Sequence, residues 1–418
     1  GWLSDKERFA FEAWNSDSRL TGPLVRGDSL GNPTDDGDQL VAASWPLALR
    51  KAVEALEGVD PTRIAVLGGA RLSTESQYAW AKFAKSVLGT DNVDAQLGDG
   101  VAADVLLSLP RATIDDACTP GGTVVVLGAD PKETHGSLFL RLRHAVENDG
   151  ATLVEITPRS SGLAPYADHS LYPTPGELGT LIDAVGSPVA DSVDTPDAAG
   201  LAGPTIHAVA QALHSADRLT VVLGAGSLGD DPSVMAHAAL GFAQHFPKAT
   251  FLPALHRGNV MGALDMGLAP GLLPGRTPLG DPPGSWSAVP DAPGLDAEAM
   301  LRAASEGDID VAILLGCDPL TDFPDATLAE RGFNRVEHLI AVECVLNFTS
   351  TGADIVLPAA ATASEVDGTF TNIEGRLSPL TRKVTAPGTA RPDWMIAVEL
   401  AGQLGSDLGF IDIDELWD

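Results

Sequence analysis

Short, unbroken apolar runs alternate along this chain with longer stretches of helical spacing. RIAVLGGA (residues 63–70) is followed by RLSTESQYAWAKFAKSVLG, where Trp80, Phe83, Ala84, Val87 and Leu88 recur on one helix face. Thr74 and Gln77 suit a capping box at its start, and Gly89 suits a C-terminal stop. TVVVLGADP (123–131) leads into SLFLRLRHAVENDG, with Leu138, Leu142, Ala145 and Val146 on one face, and TLVEIT (152–157) follows. VAILLGCDP (311–319) and EHLIAVEC (337–344) repeat the theme. Continuous Val/Ile/Leu runs separated by helices mark parallel strands buried on both faces. The pattern predicts an α/β protein with two doubly wound parallel sheets.

Two segments interrupt this rhythm. Residues 258–294, GNVMGALDMGLAPGLLPGRTPLGDPPGSWSAVPDAPG, are dense in Gly and Pro and too long for an ordinary connection, as functional or interface-forming loops are. GSPVADSVDTPDAAG (186–200) has the polar composition of a linker between domains.

At 418 residues, 44% of them hydrophobic and 20% charged, the chain has the length for two or three domains and enough apolar side chains for their cores. No apolar run approaches the roughly 18 residues of a membrane span, and the opening residues lack the regions of a secretory signal. GWLSDKERF carries no starting Met and reads as the interior of a longer polypeptide. The 57 acidic and 26 basic residues give a net charge of −31, which argues against direct binding of nucleic acid or anionic membrane. Cys118, Cys317 and Cys344 are odd in number and far apart, as in a reducing compartment without a disulfide framework.

LTVVLGAGSLGDD (219–231) places Gly224, Gly226 and Gly229 in a G-x-G-x-x-G after a strand. A dinucleotide site also needs an acidic residue about 20 positions on to hold the ribose hydroxyls. GFAQHFPKATFLPAL contains none there, and Asp230 and Asp231 at the helix start repel a pyrophosphate. The glycines therefore read as a tight strand-to-helix turn. Ser227, in A-G-S-L-G, approaches a nucleophile elbow, but no acid or His partner is marked for it. The nine His residues form no H-x-x-x-H pair and the cysteines no C-x-x-C, although His207 and His214 can share a helix face. There is no P-loop motif. The residues alone describe a large acidic α/β protein without a catalytic constellation.

Three stretches, in this order and spacing, resemble the molybdopterin-oxidoreductase family. The first is GWLSDKERFAFEAWNSDSRLTGPLVR with ASWPLALRKAVEAL, and the second is STESQYAWAKFAKSVLGTDNVD. The third is ADIVLPAAATASEVDGTFTNIEGRLSPL with PGTARPDWMIAVELAGQLG. Within the family, GADPKETHGSLFLRLRHA and RGNVMGALDMGLAPGLLPG resemble the large iron–sulfur (G) subunits of NADH-quinone oxidoreductase, respiratory complex I. The resemblance implies an opening segment at 1–43, one discontinuous α/β domain at 44–95 plus 201–405, a second α/β domain inserted at 96–200, and a tail at 406–418. It also implies that the C-terminal β-domain of active enzymes is lacking.

What the resemblance implies about chemistry is mostly absence. The [2Fe–2S] and [4Fe–4S] clusters belong to a region preceding this segment, and no cofactor or catalytic residue is expected within it. Ser4 stands where many relatives carry a cluster-ligating Cys, and a hydroxyl is a poor ligand beside a thiolate. Molybdenum enzymes draw a Cys, selenocysteine or Ser ligand from just after N-V-D. Here Asp94 is followed by AQLGDGVAAD, which leaves only Asp99 or Asp104 as a carboxylate substitute, and an exposed loop acid is the preferred account. Asn372, Glu374 and Arg376 would hold a retained pterin, and otherwise would tie their loop to the sheet. The expectation is a structural, cofactor-free domain in a complex that passes electrons from NADH to quinone. Its partners would be other peripheral-arm subunits on the cytoplasmic side of a bacterial inner membrane. The alternative is a molybdenum or tungsten bis-pterin oxidoreductase of the formate dehydrogenase type.

Overall fold

The computed structural model describes residues 2–34, 37–98, 100–187, 195–226, 232–280, 282, 284, 286 and 288–417. They form two compact units, one of Gly1–Phe11 with Asp99–His256 and the other of Glu12–Gly98 with Arg257–Asp418. Among the described residues no helix is long and apolar enough to cross a membrane.

The larger unit contributes β1 (Leu24–Gly27), β2 (Gln39–Ala42), β3 (Ile64–Gly68) and β4 (Val93–Asp94) before the chain leaves it. The smaller unit then supplies β5 (Thr123–Leu127), β6 (Thr152–Ile156), β7 (His169–Leu171), β8 (Leu219–Leu223) and β9 (Thr250–Pro253). On its return the chain forms the short pair β10 (Leu272–Leu273) and β11 (Thr277–Pro278), then β12 (Val311–Leu315), β13 (His338–Glu343) and β14 (Ile355–Pro358). The hairpin β15 (Gly368–Thr371) and β16 (Leu377–Leu380) comes last.

The larger unit's sheet has the order β2-β1-β14-β13-β12-β3-β4, parallel except for β1 and β2. From β3 the chain moves outward to β4, whereas from β12 it moves outward the other way through β13 and β14, so the winding reverses between β3 and β12. The smaller unit's all-parallel sheet, β7-β6-β5-β8-β9, reverses between β5 and β8. Every residue of β3, β8 and β12 is buried, which is why each reads as an unbroken apolar run.

Three boundaries differ from the sequence reading. β8 and β9 pair with β5, so the inserted unit runs to His256 rather than ending at 200. Of the stretch 186–200 read as a linker, residues 188–194 lie outside the described residues, and 186–187 and 195–200 fall within that unit. A buried parallel strand suits either sheet, and nothing local in LTVVL says which it joins. The opening segment is not separate either, because β1 and β2 extend the large sheet through β14.

Side chains explain several motif residues. The helix Thr74–Lys82 is capped by Ser73, whose Oγ accepts the Ser76 N–H, and not by a Thr74–Gln77 box. Gln77 instead points inward, donating to the carbonyls of Gly69 and Asn259, both at 2.9 Å. A π-helical turn, Phe83–Val87, follows and carries Lys85 into the interior. Its ammonium donates to Asp91 Oδ1 (2.5 Å), Ala269 O (2.8 Å) and Leu272 O (2.7 Å). Asp91 Oδ2 accepts Gly271 and Gly294 N–H, and Asn92 Oδ1 accepts Leu295 N–H. T-D-N-V-D thus fastens the middle and the far end of the Gly/Pro-rich segment to the sheet edge.

The two units share a local device. Leu-Gly-x-Asp-Pro ends both β5 and β12, with Gly128 and Gly316 at φ 67° and 56°. Asp130 then accepts Gly162 N–H, and Asp318 accepts Thr349 N–H and its hydroxyl. One strand further on, Asp168 accepts Leu153 N–H at 2.9 Å and Asp354 accepts Leu339 N–H at 2.8 Å.

Candidate functional site

The loops at the carboxyl ends of β3, β12, β13 and β14 enclose a cavity of about 670 Å³ in the larger unit, with Trp14, Phe370 and Asp393 completing its lining. It opens where the winding reverses between β3 and β12, the position at which doubly wound sheets place their ligand crevice.

Its charges are unevenly committed. Arg71, just after β3, donates from Nη1 and Nη2 to the two oxygens of Asp322 at 2.8 and 3.0 Å, and from Nη1 also to Gly316 O. Arg257 lies 3.7 Å from the same carboxylate. Asp318 is consumed by Phe348 N–H and by the N–H and hydroxyl of Thr349. Glu343, at the end of β13, accepts Cys317 N–H on Oε1 at 2.7 Å. Burial pushes its carboxyl up to about 8, with Cys317 N–H and Arg71 only partly offsetting the effect. Burial likewise pushes Asp393, in the first turn of the helix Asp393–Gln403, up to about 7. The thiols of Cys317 and Cys344 are raised by burial too, so neither is a ready nucleophile. The crevice therefore holds two carboxyls that titrate near neutrality among apolar walls, and it can exchange a proton or receive a positive charge.

The residues singled out in the sequence do not gather here. Ser4 caps the first helical turn of the smaller unit: its Oγ donates to Glu7 Oε2 at 2.7 Å and accepts Glu7 N–H. Asp94 accepts Gln96 N–H on one oxygen (2.9 Å) and Ala297 N–H on the other (3.0 Å). Asp104 is exposed in the smaller unit and accepts Val105 N–H. Asp99 lies outside the described residues, as do Ser227, Gly229, Asp230 and Asp231. Gly226 donates its N–H to Gly128 O, and a Cβ on Gly224 would stand 2.5 Å from that oxygen. Those two glycines thus let the turns after β5 and β8 touch backbone to backbone. His207 lies 3.2 Å from the Thr195 hydroxyl, and among the described residues no three His, Cys, Asp or Glu side chains converge as a metal site.

Asn372, Glu374 and Arg376 sit together in the turn of the β15–β16 hairpin. Asn372 Oδ1 accepts the N–H groups of Glu374 and Arg376, its amide donates to Glu374 Oε2, and Arg376 lies 3.9 Å from that carboxylate. They shape the turn itself, and other residues tie the hairpin down. Glu75, 2% exposed, accepts the N–H and hydroxyl of Thr369, while Asn259 accepts Thr371 N–H. Sequence reading missed Glu75, Asn259, Glu343 and Asp393. An acid ending an otherwise apolar strand, as in LIAVE, was the one available signal.

Comparison with known proteins places this geometry. Residues 19–403 match the family described as Molybdopterin oxidoreductase. The chain belongs to that family. It is 28% identical to the NADPH-Fe(3+) oxidoreductase subunit alpha of Geobacter sulfurreducens, over 97% of this chain and 51% of the relative. It is 29% identical to the G subunit of the NADH-quinone oxidoreductase of Streptomyces coelicolor, over 97% of this chain and 49% of that relative. It thus spans about half the length of these curated relatives. The acetylene hydratase of Pelobacter acetylenicus shares the fold, with a TM-score of 0.65 at 14% identity over 96% of this chain and 64% of the hydratase.

Proposed function

We propose that this chain serves as a cofactor-free, structural molybdopterin-oxidoreductase domain of a large iron–sulfur subunit of the NADH-quinone oxidoreductase type. The observation that carries the reading is Asp94: both its carboxylate oxygens are occupied by backbone N–H groups. The segment after it offers no thiol or hydroxyl as far as Asp104, which is exposed. Two further features support it. Arg71, the cation lining the crevice, is held by both oxygens of Asp322, and Arg257 lies 3.7 Å from the same carboxylate, so a pyrophosphate would compete with an acid already in place. The start of the helix Thr74–Lys82, where an anion would dock, holds Ser73 Oγ, and its first-turn acid Glu75 is tied to Thr369. These residues do not suit a molybdenum bis-pterin centre.

In this reading the domain supports the neighbouring peripheral-arm subunits on the cytoplasmic face of the membrane. Electrons pass from NADH to quinone through flavin and iron–sulfur clusters carried elsewhere in the complex. The preserved cavity at the winding reversal favours a second reading, a bis-pterin oxidoreductase of the formate dehydrogenase type. One experiment separates them. The chain is purified from a host that makes the pterin and analysed for molybdenum, tungsten and iron, with a fluorescence assay for oxidised pterin. Metal-free, pterin-free protein is the expected result. Near-stoichiometric molybdenum or tungsten with pterin would overturn the structural reading.

A further inference from the structure

Among the described residues, the crevice of the larger unit carries a buried carboxyl with no partner side chain. Asp393 is 3% exposed and lines the cavity, yet among the described residues its carboxyl meets no donor except the backbone N–H of its own residue. Glu343 lies close enough for Asp393 to add to the upward push on it, and its donors are Cys317 N–H and the Asn347 side chain. An isolated buried carboxyl is costly unless something pairs with it.

The smaller unit shows what a closed version looks like. Glu155 of β6 lies one pleat deeper than the position equivalent to Glu343, on the same strand face, and is fully buried. It accepts three donors, Ser161 N–H, the Ser170 hydroxyl and the Tyr172 hydroxyl. Glu343 and Asp393 have no such seal, and what they face is the cavity. The walls around them, Leu72, Val342, Val345, Phe370 and Leu380, are apolar. The other charged and titratable groups lining the cavity are Arg71, Asp318, Asp322, Cys317 and Cys344, with Arg257 3.7 Å from Asp322.

We infer that this crevice binds a small organic cation with an apolar body, an arylalkylamine, whose ammonium sets against the carboxyls of Asp393 and Glu343 while its ring lies on the apolar wall. The inference rests on the crevice being free of pterin, as proposed above. An anion is disfavoured because Arg71 is held by both oxygens of Asp322, which also lies 3.7 Å from Arg257. A bare metal ion is disfavoured because no three ligand side chains converge among the described residues. An ammonium supplies what two half-satisfied carboxyls lack, a charge and several N–H donors. Since both carboxyls titrate near neutrality, binding draws them into the ionised form and releases protons.

The test is calorimetric titration of the full chain with phenethylamine, 2-phenylethanol and phenyl phosphate in about 0.15 M salt, where surface charge is screened. Phenethylamine should bind one site at least about tenfold more tightly than the alcohol. It should bind more tightly at about pH 8.5 than at about pH 6, with proton release read from the buffer dependence of the heat. Asp393→Asn should weaken it by about tenfold or more and Glu343→Gln by several-fold. Asp414→Asn, at an exposed acid, should change nothing. Equal binding of amine and alcohol, tighter binding of the phosphate, no amine binding at millimolar concentration, or indifference to both crevice variants would each overturn the inference. Should the variants fail to fold, the pH dependence and proton release of the unmodified chain decide it. Molybdenum or tungsten with pterin, found by the elemental and fluorescence analyses, removes the structural reading and this inference with it, whereas pterin-free protein that ignores the amine removes only the inference.

Discussion

The two units solve one problem in two ways. Each is a doubly wound sheet whose Leu-Gly-x-Asp-Pro turn is clasped by an aspartate to the next loop, and each uses a further aspartate to cap the neighbouring strand. They part over buried charge. The smaller unit surrounds Glu155 with neutral donors. The larger unit buries two full ion pairs, Lys85–Asp91 and Arg19–Glu365, and leaves Glu343 and Asp393 facing a cavity. A carboxylate satisfied by backbone and hydroxyl donors holds its neighbours without a second desolvated ion, as Glu155 does locally and Glu75 does across to Thr369. A buried ion pair can join segments far apart in sequence, as Lys85 and Asp91 join the sheet edge to the segment around Ala269–Gly294. The difference is whether a second ion is desolvated.

The largest expected effect breaks an ionic arrangement. Asp91→Ala strands the Lys85 ammonium in the interior and frees Gly271 and Gly294 N–H, at a cost of about 3–5 kcal/mol. Denaturant unfolding followed by unit-resolved hydrogen exchange should show the larger unit opening first, with the smaller unit's protection unchanged. Equal loss in both units would mean that they unfold as one body, and the contrast would have no energetic content.

Acidity sharpens the comparison next, because the units respond with opposite signs. Asp393 is raised from 3.8 to about 7 and Glu343 from 4.5 to about 8 by burial. Between the ordinary and the raised value the folded state binds more protons than the unfolded chain, so the larger unit loses stability as pH rises through that window. In the smaller unit, burial with help from His256 lowers His135 from 6.5 to about 4. There the unfolded chain binds the extra proton, so stability falls as pH drops from 6.5 towards 4. The effect of each group is at most about 3–5 kcal/mol. Asp393→Asn with Glu343→Gln should flatten the alkaline loss, and His135→Gln the acidic loss, both read from unfolding midpoints across pH. A larger unit that gains stability on going from pH 5 to pH 8 would contradict the account.

The smaller unit's closed carboxylate is weaker to break. Glu155→Ala orphans Ser161 N–H and two hydroxyls that can still turn towards one another, at about 2 kcal/mol. Unfolding by chemical denaturant measures it. A loss matching that of Asp91→Ala would erase the distinction between neutral and ionic sealing.

Much of the fold was legible because buried parallel strands print themselves as apolar runs, and TVVVL, VAILL and LIAVE fall where the structure has β5, β12 and β13. Assigning β8 to its sheet was not legible, since LTVVL is compatible with either and pairing is decided by contacts over 90 residues away in sequence. The crevice was legible least. Its carboxyls come from strand and helix ends that meet only in three dimensions, and the anchors Glu75 and Asn259 act through partners such as Thr369 and Thr371 that no local spacing announces. Conversely, the polar cluster that a linear motif did announce, Asn372 with Glu374 and Arg376, serves its own turn.

That cluster supplies the smallest and most discriminating prediction. Asn372 Oδ1 holds two backbone N–H groups, those of Glu374 and Arg376, while Gly375 at φ 75° completes the turn. Asn372→Ala therefore removes a side chain that substitutes for backbone pairing, and should cost about 1 kcal/mol. Arg376 is mostly exposed and 3.9 Å from Glu374, so Arg376→Ala should cost less than about 0.5 kcal/mol. A shared polar network reaching the sheet would make the two losses similar and would make them non-additive with Glu75→Gln. A self-contained turn makes them unequal and additive with it, because Glu75 grips the hairpin at Thr369, at its other end. A double-mutant cycle between Asn372 and Glu75 separates the two, with a coupling near zero as the expected value.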